Sequence, residues 1–132
     1  MTRQNYSLAG VDHGDAPIPM AARIGRAFRT SAVPGKDPET GTVPDDGARQ
    51  VDLVFANVRR LLEIAGLEDD DVLFVEVLLE DERLRSRINE RWCDWFTDGA
   101  SRPARHITVR PLPANLLVQL RVEAEAGDGV QK

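Results

Sequence analysis

The stretch DVLFVEVLLE, residues 71–80, decides how this chain folds. It is mostly apolar and rich in valine, and Glu76 is the only charge inside the apolar run, residues 72–79. A run of this kind is typical of a strand at the centre of a sheet, covered on both of its faces. We therefore expect residues 71–80 to form the central strand. Both of its faces then have to be packed against other residues.

Two amphipathic segments flank this strand and predict helices. From Ala48 to Ala65, apolar residues recur at steps of three and four, which indicates a helix of about five turns. Asp45 or Asp46 can cap its start, and Gly66 is the expected stop. Asp81 is the expected cap of the second helix. The apolar stripe of that second helix consists of Leu84, Ile88, Trp92 and Phe96.

Further strands lie towards both ends of the chain. Residues 21–32 predict a β-hairpin around Gly25, and residues 34–47 are dense in turn formers and predict a loop. Residues 105–110 and 115–126 alternate between apolar and polar side chains, which predicts two more strands. In the last strand, Leu116, Val118, Leu120, Val122 and Ala124 face one way, and Leu117, Gln119, Arg121, Glu123 and Glu125 face the other.

The order of these elements predicts an α+β fold with one mixed sheet. Both helices follow strands, so right-handed crossovers place both of them on the same face of the sheet. The strand at residues 71–80 is apolar on both sides, yet two helices can cover only one side. The other face then needs cover from outside the protomer, and self-association is the simplest source.

Length and charge restrict the class of protein. The 132 residues suit a single domain spanning residues 1–132, in which we expect residues 1–15 and 127–132 to be flexible. The net charge of −5 argues against nucleic acid and against an anionic membrane surface as partners. No apolar run approaches the length of a membrane span, so we expect a cytoplasmic protein.

Common catalytic and metal-binding motifs are missing from the sequence. There is no GxGxxG, P-loop, HExxH or GxSxG pattern, and the single cysteine, Cys93, excludes a CxxC site. DHGD, residues 12–15, carries metal-ligand side chains, but we interpret it as a flexible loop because no fourth ligand is indicated nearby. We interpret His106 as structural and Cys93 as a small core or interface residue. No cofactor or metal is predicted.

Arg105 is the main candidate for a functional side chain, because it begins a strand that otherwise indicates core. A guanidinium is permanently charged and cannot remain unpaired where it is buried. One interpretation is a structural salt bridge, to Glu123 or Glu125. The other is a bidentate clamp for a small carboxylate ligand. The composition and spacing alone favour the salt bridge.

A family resemblance favours the clamp instead. The stretch SRPARHITVRPLPANLLVQLRVEAEA, residues 101–126, resembles the reactive intermediate deaminase family (Rid, YjgF type), whose members carry Pro-Ala-Arg, a strand, Leu-Pro and a final strand. TSAVPGKDPETGTVP resembles its Ser-Gly-Gln and Asn/Asp-Pro-x-Thr-Gly segment, and RQVDLVFANVRRLLEIAGLEDDDV resembles its first helix. RINERWCDWF resembles its Val-Asn-x-x-Tyr-x-x-Phe. These landmarks follow in the family's order over residues 16–126.

The resemblance implies a chorismate-mutase-like fold that assembles as a homotrimer, with ligand clefts between subunits. It implies hydrolysis of enamines and imines to ketoacids and ammonia without a cofactor. Arg105 takes the position of the carboxylate-binding arginine, and Ser31 and Asn89 match pocket positions. Gln119 stands where active deaminases carry a glutamate that holds the attacking water.

Other departures from the family pattern make the expected pocket more apolar. Ile18 stands where a tyrosine is common, Ala32 and Val33 replace Gly-Gln, and Ile107 replaces a frequent cysteine. The amide of Gln119 can bond a water but has no useful basicity. Loss of a general base costs a rate factor of about 10² to 10⁴. The sequence therefore predicts a divergent member with weakened or altered activity.

Three functions are compatible with these features. The first is a Rid-like hydrolase of a small imine or enamine acid, in which Arg105 anchors the carboxylate and Gln119 orients water. The second is a protein that binds a small carboxylate in the same cleft without turnover. The third is an endoribonuclease or translation inhibitor, a label given to part of the family, and the acidic net charge ranks it last.

Overall fold

The computed structural model describes residues 2–127 as one mixed sheet with two helices. The strands are β1 (Gln4–Tyr6), β2 (Ala21–Ile24), β3 (Ala27–Thr30), β4 (Val33–Pro34), β5 (Val72–Leu79), β6 (Ala104–Val109) and β7 (Val118–Glu125). The helices are α1 (Gly47–Ile64) and α2 (Arg85–Trp95). The strand order is β1-β2-β3-β7-β5-β6, with β4 also paired to β7, and only β5 and β6 run parallel. The predicted α+β class is confirmed.

The central strand β5 is covered on one face only. Val75, Val77 and Leu79 are fully buried in a core that also contains the apolar faces of both helices. On the opposite face, Phe74 and Leu78 are only partly buried, and Leu73, at an irregularity in the strand, is 60% exposed. We call this second surface, on which Phe74 and Leu78 lie, the open face of the sheet. The sequence pattern correctly predicted that the protomer leaves one face of this strand without cover.

The ends of the helices follow the capping residues that the sequence offered. Asp46 caps α1, where its carboxylate accepts a hydrogen bond of 3.0 Å from the backbone N–H of Ala48. Gly66 has a φ of 75°, the left-handed conformation that ends a helix. Asp81 caps a short 3₁₀ turn that leads into α2. The predicted stripe of α2 is buried at Ile88, Trp92 and Phe96, and Leu84 is partly buried.

Part of the N-terminal segment, for which we expected flexibility over residues 1–15, is attached to the sheet. Strand β1 pairs with β2 in antiparallel register. Val11 then inserts into the core and is 1% exposed. The sequence could not show this because β1 has only three residues and no apolar alternation. The expected flexible tail beyond residue 127 lies outside the described residues.

Within residues 2–127, neither helix is long and apolar enough to cross a membrane. A cytoplasmic location stays a prediction.

Gln50 joins helix α1 to the chain that enters β7. Its side chain is fully buried, and its amide N–H groups donate to the backbone carbonyls of Pro44 (2.9 Å) and Asn115 (3.0 Å). Its amide oxygen accepts from the N–H of Leu117 at 2.9 Å. One side chain thus satisfies three backbone groups and fixes where β7 begins.

We expect Gln50→Leu to lower the free energy of unfolding by about 2–4 kcal/mol, because it leaves buried backbone groups without partners. Urea denaturation followed by circular dichroism measures the change. Gln4→Leu is the matched control, since Gln4 is exposed, and should change stability by less than about 0.5 kcal/mol. Equal stability of Gln50→Leu and wild type would contradict the assigned role.

Candidate functional site

The guanidinium of Arg105 lies between the edge strand β6 and helix α2. Arg105 pairs in register with Val75, whose side chain is in the core, so Arg105 points to the helix side of the sheet. Its Nη2 donates a hydrogen bond of 2.9 Å to Oδ1 of Asn89. Its carbon Cζ lies 5.0 Å from the centre of the Trp92 ring. The side chain is therefore held by neutral groups, an amide and an aromatic face.

The positive charge of Arg105 has no carboxylate partner among residues 2–127. Its Nη1 is shielded from solvent and makes no hydrogen bond. Partial burial, reinforced by the positive charge of Arg85, lowers the pKa of Arg105 from its usual value. A partly desolvated cation without a carboxylate partner is suited to binding an anion.

The structural salt bridge considered for Arg105 is wrong. Glu123 pairs instead with Arg121 at 3.1 Å and with Arg29 at 3.4 Å, and Glu125 lies 3.5 Å from Arg26. These partners lie on strands β7, β3 and the turn before β3. The carboxylates proposed from sequence are thus occupied elsewhere, and the anion-binding interpretation of Arg105 gains support.

Gln119 lies on the other side of the sheet from Arg105. It pairs in register with Leu78, which lies on the open face, and with Pro34 of β4. Its side chain lines a cavity of about 350 Å³. Directly paired residues point to the same side of a sheet, and neighbours along a strand point to opposite sides. Within one protomer, Gln119 and Arg105 therefore cannot contact the same small ligand.

The N-terminal segment contributes to the Gln119 cavity. Asp12, His13 and Lys36 line it together with Gln119. Lys36 Nζ lies 3.0 Å from Oδ1 of Asp12, and the Asp12 carboxylate also accepts from the N–H of Gly14. Both contacts lower the pKa of Asp12, the backbone hydrogen bond most strongly. The expectation of a loose loop at residues 12–15 missed this cluster, since no periodicity in the sequence places it near Gln119.

His13 is the residue of that cluster whose side chain has a buried nitrogen without a hydrogen-bond partner. Its Nε2 is shielded from solvent and has no hydrogen-bond partner. Burial, and after it the positive charge of Lys36, lowers the pKa of His13 below its ordinary value of 6.5. Both effects favour the neutral form of the imidazole.

Of the other predicted pocket positions, two lie beside Arg105, two lie outside the Gln119 cavity and one lies in the core. Asn89 contacts Arg105, and Ile107 lies on the same side of β6 and packs partly against the core. Ser31 and Ile18 are neighbours in space: Ser31 Oγ donates to the Pro19 carbonyl at 2.7 Å, and Ile18 is 51% exposed. These two residues lie outside the Gln119 cavity.

Val33 requires a correction. Its side chain is fully buried and pairs with Leu120 in the core on the helix side, so it cannot line a ligand pocket in the protomer. Cys93 is exposed on α2, which excludes a core role but leaves an interface role as a prediction. His106 is exposed on the open face, 4.0 Å from Glu76.

Among residues 2–127, no three histidine, cysteine, aspartate or glutamate side chains are grouped closely enough to hold a metal ion. The polar side chains of the two regions are instead suited to an organic anion at Arg105 and to a small polar reactant, such as water, beside Gln119.

Comparison with known proteins identifies relatives across most of the chain. A family model described as Endoribonuclease L-PSP matches residues 17–126. A RutC family protein of Aquifex aeolicus is 31% identical over 115 residues, which cover 83% of this chain and 92% of the relative. The 2-iminobutanoate/2-iminopropanoate deaminase of Escherichia coli K12 is 31% identical over 112 residues, covering 83% and 86%.

A solved structure shares the fold. The YjgF gene product of E. coli superposes with a TM-score of 0.81 at 24% identity, over 92% of this chain and 98% of that one. At this identity the likeness concerns the fold alone.

The titration of His13 can be followed by NMR spectroscopy. His13 should titrate below pH 6.5, because burial and Lys36 disfavour the imidazolium. Lys36→Met removes a positive charge and should move the His13 midpoint upward. Arg49→Met removes a charge of the same sign, one that is paired with Asp37, and should leave the midpoint unchanged. An unaltered His13 midpoint in Lys36→Met would contradict the described cluster.

Proposed function

The chain belongs to the RidA/YjgF family, and from that premise we propose that it hydrolyses a small imine or enamine acid to a ketoacid and ammonia. The family model covers nearly the whole domain, and a relative of 31% identity is named as a deaminase of 2-iminobutanoate and 2-iminopropanoate. Both of those compounds are small acids that carry a C=N group beside a carboxylate. The proposed substrate therefore presents one anionic group and one electrophilic carbon.

The observation that carries the proposal is the uncompensated charge of Arg105. Its guanidinium is partly buried, has a free Nη1, and lacks a carboxylate partner within residues 2–127. A substrate carboxylate would supply the missing acceptor and could accept two parallel N–H donors. Asn89 and Trp92 fix the orientation of the guanidinium before a ligand arrives. Such a preset donor group lowers the entropic cost of binding.

The complete site is proposed to form between protomers of a homotrimer. Arg105 and the Gln119 cavity lie on opposite sides of one sheet, so a substrate that needs both must lie between two chains. The partly buried Phe74 and Leu78 of the open face, with the exposed Leu73 beside them, give a neighbouring protomer an apolar surface on which to pack. In this arrangement one chain supplies Arg105 and its neighbour supplies Gln119.

The reaction needs an activated water more than it needs a cofactor. A protonated imine carbon is already electrophilic, so catalysis depends on placing water next to that carbon and removing a proton from the water. Gln119 can accept a hydrogen bond from that water and orient it, but its amide cannot take the proton. This side chain alone therefore supports slow hydrolysis.

The second candidate is a protein that binds a small carboxylate at the same cleft without turnover. The lack of basicity at Gln119 favours it, whereas Arg105 fits both candidates equally. An endoribonuclease, as the family model's description suggests, would need a surface that attracts phosphate, and the net charge of −5 opposes that function.

The test follows the disappearance of an imino acid generated by an amino-acid oxidase, with the spontaneous reaction subtracted. We expect weak wild-type activity and a loss of about ten- to a hundredfold in kcat/KM for Arg105→Ala, from loss of a charge-assisted contact. Gln119→Glu should raise kcat by about a hundredfold, since a carboxylate can accept the proton. Arg110→Ala removes an exposed arginine next to the same strand and is the control.

The outcomes separate the candidate functions. Carboxylate binding that depends on Arg105, without turnover by wild type or Gln119→Glu, would establish the binding protein. Equal activity of Arg105→Ala and wild type would contradict the proposed role of the guanidinium. RNA cleavage by highly purified protein, abolished by salt, would support the endoribonuclease instead.

A further inference from the structure

Within residues 2–127, three side-chain nitrogens are shielded from solvent and have no hydrogen-bond partner. They are Nε2 of His13, Nε of Arg91 and Nη1 of Arg105. Arg91 Nε lies 3.7 Å from a carboxylate oxygen of Asp52, so its charge is compensated. The remaining two atoms, on Arg105 and His13, have no such compensation. Unsatisfied buried polar atoms are uncommon in folded proteins and indicate a missing partner.

His13, which carries one of these two atoms, lines the cavity that contains Gln119. His13 and Gln119 both line this cavity of about 350 Å³, which has room for several water molecules. The charged groups that line it are Asp12 and Lys36, and these pair with each other at 3.0 Å. Among the described residues of this lining, His13 is therefore the one with a free, titratable nitrogen and no counter-charge bound to it.

On the basis of the proposed function, we propose that His13 is the general base that activates the hydrolytic water held by Gln119. The N-terminal segment supplies the basic group that the amide at position 119 lacks. Gln119 orients the water, and the imidazole of His13 accepts its proton during attack on the imine carbon. The two side chains together do the work of a single glutamate at position 119.

The proposed reaction balances in protons and in bonds without any further reactant. Attack of water on the protonated imine forms a C–O bond while the electron pair of the C=N π bond moves to nitrogen, and His13 takes the proton that water loses. The product of this step is a neutral carbinolamine. His13 then returns the proton to the amino nitrogen, and the C–N bond breaks. The departing ammonia takes up the hydroxyl proton, which leaves the carbonyl oxygen. The products are a ketoacid and ammonium, and His13 is neutral again.

The structure holds the N-terminal segment closely enough for this role. Val11, two residues before His13, is buried in the core, and β1 pairs with β2. Gly10 has a φ of 81°, and a Cβ at this position would clash with the carbonyl oxygen of Pro38, so only glycine allows this close approach. Lys36 then contacts both the carboxylate and the backbone carbonyl of Asp12. These contacts on the residues just before His13 limit the positions open to its ring.

The neutral state that a base requires is also favoured by the surroundings. Burial and the charge of Lys36 lower the pKa of His13, so the imidazole can accept a proton at pH 7. The opposing charge of Asp12 has a smaller effect on the pKa of His13 than burial or the charge of Lys36.

The test compares wild type, His13→Gln, and His13→Gln combined with Gln119→Glu in the imino-acid assay. His13→Gln retains a polar side chain of similar size but cannot accept the proton. We expect kcat to fall by about a hundredfold with little change in KM. The added glutamate should restore kcat, because it supplies a base at the position of the water. Asp15→Asn changes an exposed side chain of the same loop and is the control.

A pH profile separates a catalytic role from a structural one. Wild-type kcat should fall as the pH drops through the titration of His13, below pH 6.5, and His13→Gln should lose this limb. The inference is overturned if kcat of His13→Gln equals that of wild type while Arg105→Ala is inactive, and the proposed function then stands. It is also overturned if the added glutamate fails to restore a folded His13→Gln protein. Absence of wild-type turnover would overturn the inference and the proposed function together.

Discussion

A central strand that is apolar on both faces, in a sheet with helices on one face only, is the constraint on which this structure depends. Val75, Val77 and Leu79 are fully buried beneath the helices, whereas Phe74 and Leu78 on the other side are only partly buried. The hydrophobic effect favours covering such a surface. A second copy of the chain can cover it without any additional protein, and the same contact would bring a neighbour's functional groups towards each protomer.

The sheet also separates the two halves of the proposed site. On the helix side, Arg105 offers a positive charge that no carboxylate in the described part of the chain neutralises. On the open side, Gln119 and His13 line a cavity, and the ring of His13 keeps a free nitrogen. Within residues 2–127, each half is incomplete by the same criterion, a shielded polar atom without a partner. A small acid with an electrophilic carbon would satisfy both, since its carboxylate matches the first half and its attacking water matches the second.

The sequence predicts the elements with strong periodicity and fails where the structure depends on tertiary contacts. Helix α1, strand β5 and strand β7 were predicted within a few residues, because apolar spacing and capping residues act locally. The attachment of the N-terminus was not predictable, since it depends on the pairing of a short polar strand and on the burial of Val11.

In the candidate site, too, the sequence predicts local features and misses those that depend on tertiary contacts. The family resemblance pointed to Arg105, but its contacts with Asn89 and Trp92 form only when α2 packs beside β6. Val33 was assigned to the pocket by position and lies in the core instead. His13 carries no local signal beyond its acidic neighbours, and only the folded chain brings it to Gln119.

Mixed oligomers of two variants test most directly whether the two halves meet between protomers. Arg105→Ala and Gln119→Ala would be co-expressed with different tags, and the oligomers that carry both tags would be isolated. We predict that each variant alone has strongly reduced activity and that mixed trimers regain about one wild-type site in three, formed by the intact Arg105 of one chain and the intact Gln119 of its neighbour. Mixed oligomers that are no more active than the separate variants would contradict a site shared between protomers.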